Sequence, residues 1–332
     1  LDSKGEFWRF YRSRNNFIIS HISTYSGKKM LPILYLAILF DLTLGEPPVY
    51  IHPVVWVGKI SEKMIVPYKG YLYGVFVWII SVIPVLILLL IPLYIPSVII
   101  QTILLTFFLK TSFSIKMLYE LVKKSIPVNR ENRKYAQQLV RRNVYELDDP
   151  HVASAVIESL FESLIDGITS PIFWFLILGY PGALLQRFSN TMDSMVGYKT
   201  LELQKEGWFS AKVDTIMNYI PSRLTGILMI IAGYLLGYKP RDLCKTLKSS
   251  GIESLNARYP ISFASSILHV KLEKPGYYSV GEGNLPKEDD VRRALRLFVA
   301  TLVLYFTLIS IIYYYLYGLS LLSYPYGLIK FI

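Results

Sequence analysis

The sequence predicts an all-α fold: a polytopic integral membrane helical bundle with amphipathic and extramembrane helices attached. Three observations predict it. Of 332 residues, 53% are hydrophobic and only 18% are charged, where a soluble domain carries about 25% charged residues. Mean hydropathy is +0.39. Residues 70–109 form a run of 40 without Asp, Glu, Lys or Arg. This balance excludes a disordered chain, which needs low hydrophobicity and high net charge. The single cysteine, Cys244, excludes an intramolecular disulfide and any multi-cysteine zinc site. His21, His52, His151 and His269 show no close ligand spacing of the HExxH kind, which argues against a histidine-rich metal site.

Residues 1–29 are polar and basic (Lys4, Arg9, Arg12, Arg14, Lys28, Lys29). They read either as a juxtamembrane basic arm or as residues upstream of a native start at Met30; they lack a signal-peptide cleavage site. Residues 30–332 read as one membrane-embedded domain. Met30–Phe40 is apolar but 11 residues long. Joined to Leu42–Gly45 it makes a short span interrupted by Asp41, or a re-entrant segment. The run 70–109 would extend ~60 Å as helix, twice the ~30 Å hydrocarbon thickness. It therefore predicts a two-span hairpin, with Pro92 and Pro96 at the turn and a kink at Pro84. Gly167–Gln186 is a further uncharged 20 residues, read as one crossing. Leu224–Tyr238 reaches span length if residues 216–223 are added. Leu297–Ile329 supplies a last crossing in its first 20 or so residues. Its Tyr313, Tyr314, Tyr315 and Tyr317 suggest an interfacial aromatic belt. Nine Lys/Arg fall in 110–142 and eleven in 239–296, which places both loops on the cytoplasmic side. The second is the candidate cytoplasmic lobe.

Glu158, Glu162 and Asp166 stand at i, i+4 and i+8, on one face of a helix. They directly precede an apolar run. Stacked carboxylates repel unless a cation or basic group sits among them. The pattern fits either a Mg²⁺ site, which takes a few carboxylates plus phosphate oxygens, or a solvated acidic face. The block 190–199 follows a membrane segment with Asn190, Asp193, Ser194, Tyr198 and Lys199. Asp193 could join the metal set and Lys199 could meet a phosphate; the alternative is a polar loop. Asp41, Glu46 and His52 flank a Gly-Glu-Pro-Pro turn, and an acid inside an apolar run is a functional candidate. Arg223 fits a phosphate ligand or a snorkelling interface anchor. No P-loop, dinucleotide fingerprint or nucleophile elbow is present. The net charge of +11 suits anionic membrane lipid and phosphorylated substrates. Nucleic acid is not expected as a partner, because the aromatics sit in apolar spans.

Several blocks occur together and in order: Asp41 to Pro47 (DLTLGEP), His52 to Gly58 (HPVVWVG), Glu158 to Gly167 (ESLFESLIDG), Ser170 to Trp174 (SPIFW), Asn190 to Lys199 (NTMDSMVGYK), Gly207-Trp208, Pro221 to Thr225 (PSRLT), and Asn256 with Pro260. With them the chain resembles the CobD/CbiB family, the adenosylcobinamide-phosphate synthases of cobalamin biosynthesis, from about Leu31 to about Leu304. Glu46 stands where the family usually has Asp. Ser163 and Leu164 replace its Asn and Thr, and Arg141-Arg142-Asn143 replaces its GRD element.

The resemblance implies a membrane enzyme that joins the propionate of adenosylcobyric acid to (R)-1-amino-2-propanol or its O-phosphate, with ATP as co-substrate and Mg²⁺. On that basis Glu158, Glu162, Asp166 and Asp193 are expected to hold Mg²⁺ or to deprotonate the amine. Lys199, Arg223 and Arg142 are expected on phosphates. Asn190, Ser194, Tyr198, Asn256, Asp41, Glu46 and His52 are expected on substrate. The site should face the cytoplasm, and other cobalamin-assembly enzymes are possible partners. A corrinoid carrier and another Mg²⁺-dependent membrane transferase remain alternatives, although no inverted repeat supports a carrier.

Overall fold

The structure is a computed structural model that describes residues 30–197 and 202–317. The arm 1–29, Tyr198, Lys199 and the end of the last apolar run lie outside the described residues. The fold is an all-α bundle. In order it contains α1 (Met30–Leu44), α2 (Pro53–Met64), α3 (Tyr71–Leu90), α4 (Val98–Lys110), α5 (Ile115–Lys124), the single turn α6 (Arg133–Ala136) and α7 (Asp149–Leu164). A π turn (Ile165–Thr169) leads into α8 (Ser170–Val196), followed by α9 (Trp208–Leu235), α10 (Leu243–Ser249) and α11 (Arg258–Leu268). An antiparallel hairpin, β1 (Leu272–Lys274) and β2 (Tyr278–Val280), precedes α12 (Glu288–Tyr317).

Among the described residues, five stretches are long and apolar enough to cross a membrane: Tyr71–Tyr94, Val98–Lys124, Asp149–Val196, Trp208–Leu235 and Glu288–Leu316. The protein is thus a multi-pass membrane bundle. At 15 residues α1 rises only ~22 Å, short of a full crossing. The uncharged run 70–109 forms the expected hairpin of α3 and α4. Gln101 Nε2 ties down its Pro-rich turn by donating to two carbonyls there, Pro92 O at 3.3 Å and Leu93 O at 2.9 Å. Pro84 lies inside α3. Of the aromatic belt, Tyr313 is buried in the bundle while Tyr315 is exposed.

Gly167–Gln186 is not one crossing. Gly179 takes φ 70° and ψ −156°, a region open only to glycine, and the chain folds back there. A straight helix would hold residues 166 and 186 about 30 Å apart. Instead Gln186 Nε2 reaches the Asp166 carbonyl at 3.5 Å. This fold-back is the centre of the molecule. In its most apolar window 72% is buried, against 39% for the α3 and α12 stretches, so it packs on protein where they face lipid. α8 lies against α9, α2 and α3; α7 lies against α11 and α12.

Two prolines shape the packing around it. Pro221 has no N–H to give to Met217 O, four residues earlier. Trp174 Nε1 donates to that carbonyl at 2.8 Å, and Ser170 Oγ lies 3.4 Å away. Pro171 likewise cannot serve Gly167 O, and the Ser114 amide donates to it at 3.2 Å. Each proline frees a carbonyl that a distant segment then uses. Trp174→Phe should therefore lower stability by about 1 kcal/mol, the usual worth of one hydrogen bond, since Ser170 Oγ remains near the carbonyl. Pro221→Ala restores an internal donor, so the loss should shrink in that background. Thermal melts of the four proteins in detergent check this, and equal losses in both backgrounds would refute the pairing.

The stretch 239–296, expected as an extramembrane lobe, packs onto the bundle. Pro260 to Leu268 of α11 are all buried. The hairpin is clamped to α7: Ser154 Oγ accepts from Glu273 N at 2.7 Å.

Candidate functional site

A cavity of about 590 Å³ opens at one end of the bundle, within the 300–1,000 Å³ usual for ligand pockets. Its walls are α7, the π turn, the second half of α8, the loop 138–142, the hairpin and the apolar face of α5 (Met117, Leu118, Leu121). The i, i+4, i+8 acids do share this wall. Glu158 and Glu162 come from α7 and Asp166 from the π turn. The π turn widens the helix at Asp166, as such bulges often do at functional sites. It is fixed from several sides besides Ser114 and Gln186. Tyr305 Oη donates to Thr169 O at 2.6 Å, and Thr225 Oγ1 donates to Thr169 Oγ1 at 2.8 Å.

Glu158 is buried and fully engaged. Ser154 Oγ and Tyr278 Oη each donate to its carboxylate at 2.7 Å, and Arg142 Nη2 lies 3.5 Å away. Burial and the Glu158 carboxylate push the Tyr278 phenol upward, so it stays a donor. Glu162 is exposed to the cavity. Glu162, Asp166, Asp193 and Asp214 form one field of like charge, with Lys274 and Arg141 acting on Glu162 and Arg187 on Asp166. Asp193, Ser194 and Asn190 line the cavity from α8. An added Cβ at Gly197 would fall 1.9 Å from Asp193 Oδ1, so glycine there leaves the carboxylate its place. Asn190 Nδ2 holds Asp214 Oδ1 at 3.2 Å, and Asn218 Nδ2 holds the same oxygen at 2.9 Å. The loop 138–142 brings Arg142 to Glu158 and Arg141 Nη2 to Ser194 O at 3.0 Å. Arg142 Nη1 and Arg187 Nε are buried without a hydrogen-bond partner among the described residues. Buried donors without partners are rare, and these two are suited to an anion in the cavity.

Other expected residues stand elsewhere. Arg223 and Asn256 are together but do not line the cavity. Arg223 is stacked between Tyr219 and Tyr259, 3.6 and 4.3 Å from the ring centres, and donates to Asn256 Oδ1 at 2.9 Å. Asn256 Nδ2 holds Thr215 O at 2.9 Å. The pair ties α9 to α11. Asp41 is fully buried: Ile115 N and Lys116 N donate to its Oδ2 at 3.0 and 2.8 Å, and Lys110 Nζ lies 3.0 Å from its Oδ1. It caps α5. Glu46 lies 2.6 Å from Lys110 Nζ and 3.4 Å from His52 Nε2. Burial pushes the Glu46 carboxyl up, but the His52 hydrogen bond and Lys110 outweigh it and hold it at about 2, below the usual 4.5. Lys199 and Tyr198 lie outside the described residues.

Sequence reading missed Arg187, Asp214, Lys274, Tyr278 and Lys110. Asp214 carried a weak signal, being an acid in the first half of a long helical run. Arg187 was hidden because a straight span would end at it, far from Asp166. Tyr278 looks like any strand aromatic until the hairpin lies on α7.

Among the described residues, no three His, Cys, Asp or Glu side chains converge closely enough to hold a metal unaided. Magnesium binds through one or two carboxylates with substrate phosphates and water. The donor set here, with Glu162, Asp166 and Asp193 opposite arginines, fits an ion that arrives with phosphates.

Fold and cavity together define a polytopic helical membrane protein with a pocket of closely set acids and bases. The chain belongs to the CobD/CbiB family: the model of that family, described as CobD/Cbib protein, matches residues 34–298. It is similar to the probable cobalamin biosynthesis protein CobD of Pyrococcus furiosus, with 36% identity over 85% of this chain and 98% of that protein. The Pyrococcus abyssi protein of the same description is 38% identical, over 85% and 96%. That of Methanocaldococcus jannaschii is 34% identical, over 85% and 98%. No solved structure matches the chain.

Proposed function

We propose that the protein is a cobalamin-biosynthesis enzyme of the cell membrane. It forms an amide between the propionate carboxylate of adenosylcobyric acid and (R)-1-amino-2-propanol or its O-phosphate, at the expense of ATP. The observation that carries this reading is the cavity itself: carboxylates and arginines interleaved at one end of a membrane bundle of this family. ATP is cytosolic and basic loops favour the cytoplasmic side, so the cavity opens to the cytoplasm.

A carboxylate is a poor acyl donor because oxide must leave. Attack of the carboxylate oxygen on the terminal phosphorus of ATP breaks the bond to the bridging oxygen, giving an acyl phosphate and ADP. The amine nitrogen then attacks the acyl carbon and inorganic phosphate leaves. The incoming ammonium must first lose a proton, and nitrogen loses a second, which departs on the leaving phosphate, as the amide forms. Glu162, exposed to the cavity and crowded by like charge, accepts the first. Arg142, Arg187 and Lys274 neutralise the phosphates, since such transfers are mainly positioning plus charge stabilisation. Asp166 and Asp193 would hold Mg²⁺, which when bound draws charge off the phosphate oxygens. Asn190 orients Asp214 and Arg187 around them. Glu158, fixed by Tyr278 and Ser154, orients Arg142.

The test is an assay on purified protein in detergent with adenosylcobyric acid, Mg·ATP and either amine, reading corrinoid mass and ADP. An amide product that requires ATP is expected. Tight corrinoid binding without product, in folded protein given every substrate, would favour a carrier.

A further inference from the structure

Beside the cavity, but lining none of it, lies a polar cluster: Asp41 and Lys110, both buried, with the half-buried Glu46 and His52. Lys110 is fully buried in a stretch suited to cross a membrane, where an ionisable group is costly and needs partners. It has two. Its Nζ lies 3.0 Å from Asp41 and 2.6 Å from Glu46, and it also donates to Phe113 O at 3.4 Å. Two routes lead from this ammonium to the cavity. By the first, Asp41 caps α5 through Ile115 N and Lys116 N. That sets Ser114, whose amide holds the Gly167 carbonyl released by Pro171. By the second, Glu46 acts on the Arg187 guanidinium, which acts in turn on Asp166. Arg187 Nη1 would lie 3.9 Å from a Cβ added at Gly167. Both routes end on the same peptide, Asp166-Gly167. Acid and base residues alternate along the way: Asp41, Lys110, Glu46, Arg187 and Asp166.

We propose that Lys110 and Glu46 are positioning residues that fix Asp166 in the cavity by holding Asp41 as the cap of α5 and, through it, the Ser114–Gly167 hydrogen bond. They do not touch substrate. The catalytic part of the inference rests on the function proposed above; the structural part does not.

Two variants test it, each read in two ways. Lys110→Met removes the shared cation and leaves the buried Asp41 without its charge partner, which is strongly destabilising. Glu46→Gln keeps the Lys110–Asp41 pair and a polar group of the same shape, so it guards against a protein that fails to fold. The first readout is hydrogen exchange in detergent. Peptides covering 112–116 and 165–170 should exchange about tenfold faster in the variants, while the α3–α4 turn and α12 stay at the wild-type rate. The second is kinetic. Turnover should fall about 10²-fold with KM for all three substrates within about threefold, as expected for a misplaced group. Unchanged exchange at both peptides in folded Glu46→Gln would overturn the proposal. So would an equal rise in every peptide, which marks general destabilisation, or a rise in one KM at constant turnover, which marks direct substrate contact. If wild-type protein makes no amide but the local exchange responds, the functional reading fails and the positioning stands.

Discussion

Glu162→Gln is expected to lose about 10²–10⁴-fold in turnover, the range for removing a positioned general base, while the protein stays folded and melts no lower than wild type. The two halves have one cause. Glu162 faces the cavity within a field of carboxylates that includes Glu158 and Asp214. On the proposed reading this repulsion serves the reaction, because Glu162 takes a proton there and a bound cation offsets the remaining charge. Glutamine keeps the shape and removes one of the repelling charges, so the folded state loses nothing. Catalytic residues commonly stand in this relation to stability. Turnover by mass-detected product and a detergent melt on the same preparation measure both halves. Wild-type turnover would remove Glu162 from the mechanism.

The second large effect is expected at Gly179→Ala. With φ 70° and ψ −156°, a residue bearing a Cβ costs about 1–3 kcal/mol in backbone strain alone. The site is buried, and Tyr180 next to it donates to Leu89 O at 3.0 Å across the bundle, so the turn has little room to relax. The consequence reaches the cavity. If residues 176–182 relax toward continuous helix, Arg187, Asn190 and Asp193 swing away from Asp166. Activity should therefore fall by more than the loss of folded protein explains. Specific activity per folded molecule, against a melt in detergent, separates the two. An active variant that melts like wild type would show that the turn tolerates a side chain.

The spans and the acidic stripe were legible because both are written in plain periodicities: charge-free runs of bilayer length and carboxylates four residues apart. The α3–α4 hairpin followed from Pro92, Pro96 and 40 uncharged residues. The fold-back at Gly179 was also written, as Gly-Tyr-Pro-Gly at 179–182, a turn signal. Counting uncharged residues passed over it, because 20 happens to equal one crossing. That error hid Arg187 as a cavity residue. Arg223 and Asn256 illustrate the reverse. Their residue types suit phosphate binding, but a guanidinium between two tyrosine rings with its hydrogens directed at Tyr219 O, Ser222 and Asn256 serves packing. Residue type announces a chemical capacity, and only the neighbours decide whether it is turned inward or toward a ligand.

The cavity volume, about 590 Å³, limits what can enter. A tetrapyrrole macrocycle with its fringe of amides and a nucleoside on one face is too large for it. On the proposed reading the protein grips one arm of such a molecule and leaves the ring outside. Selectivity would then lie in the length and charge of that arm, and the enzyme would be blind to the axial ligand above the cobalt.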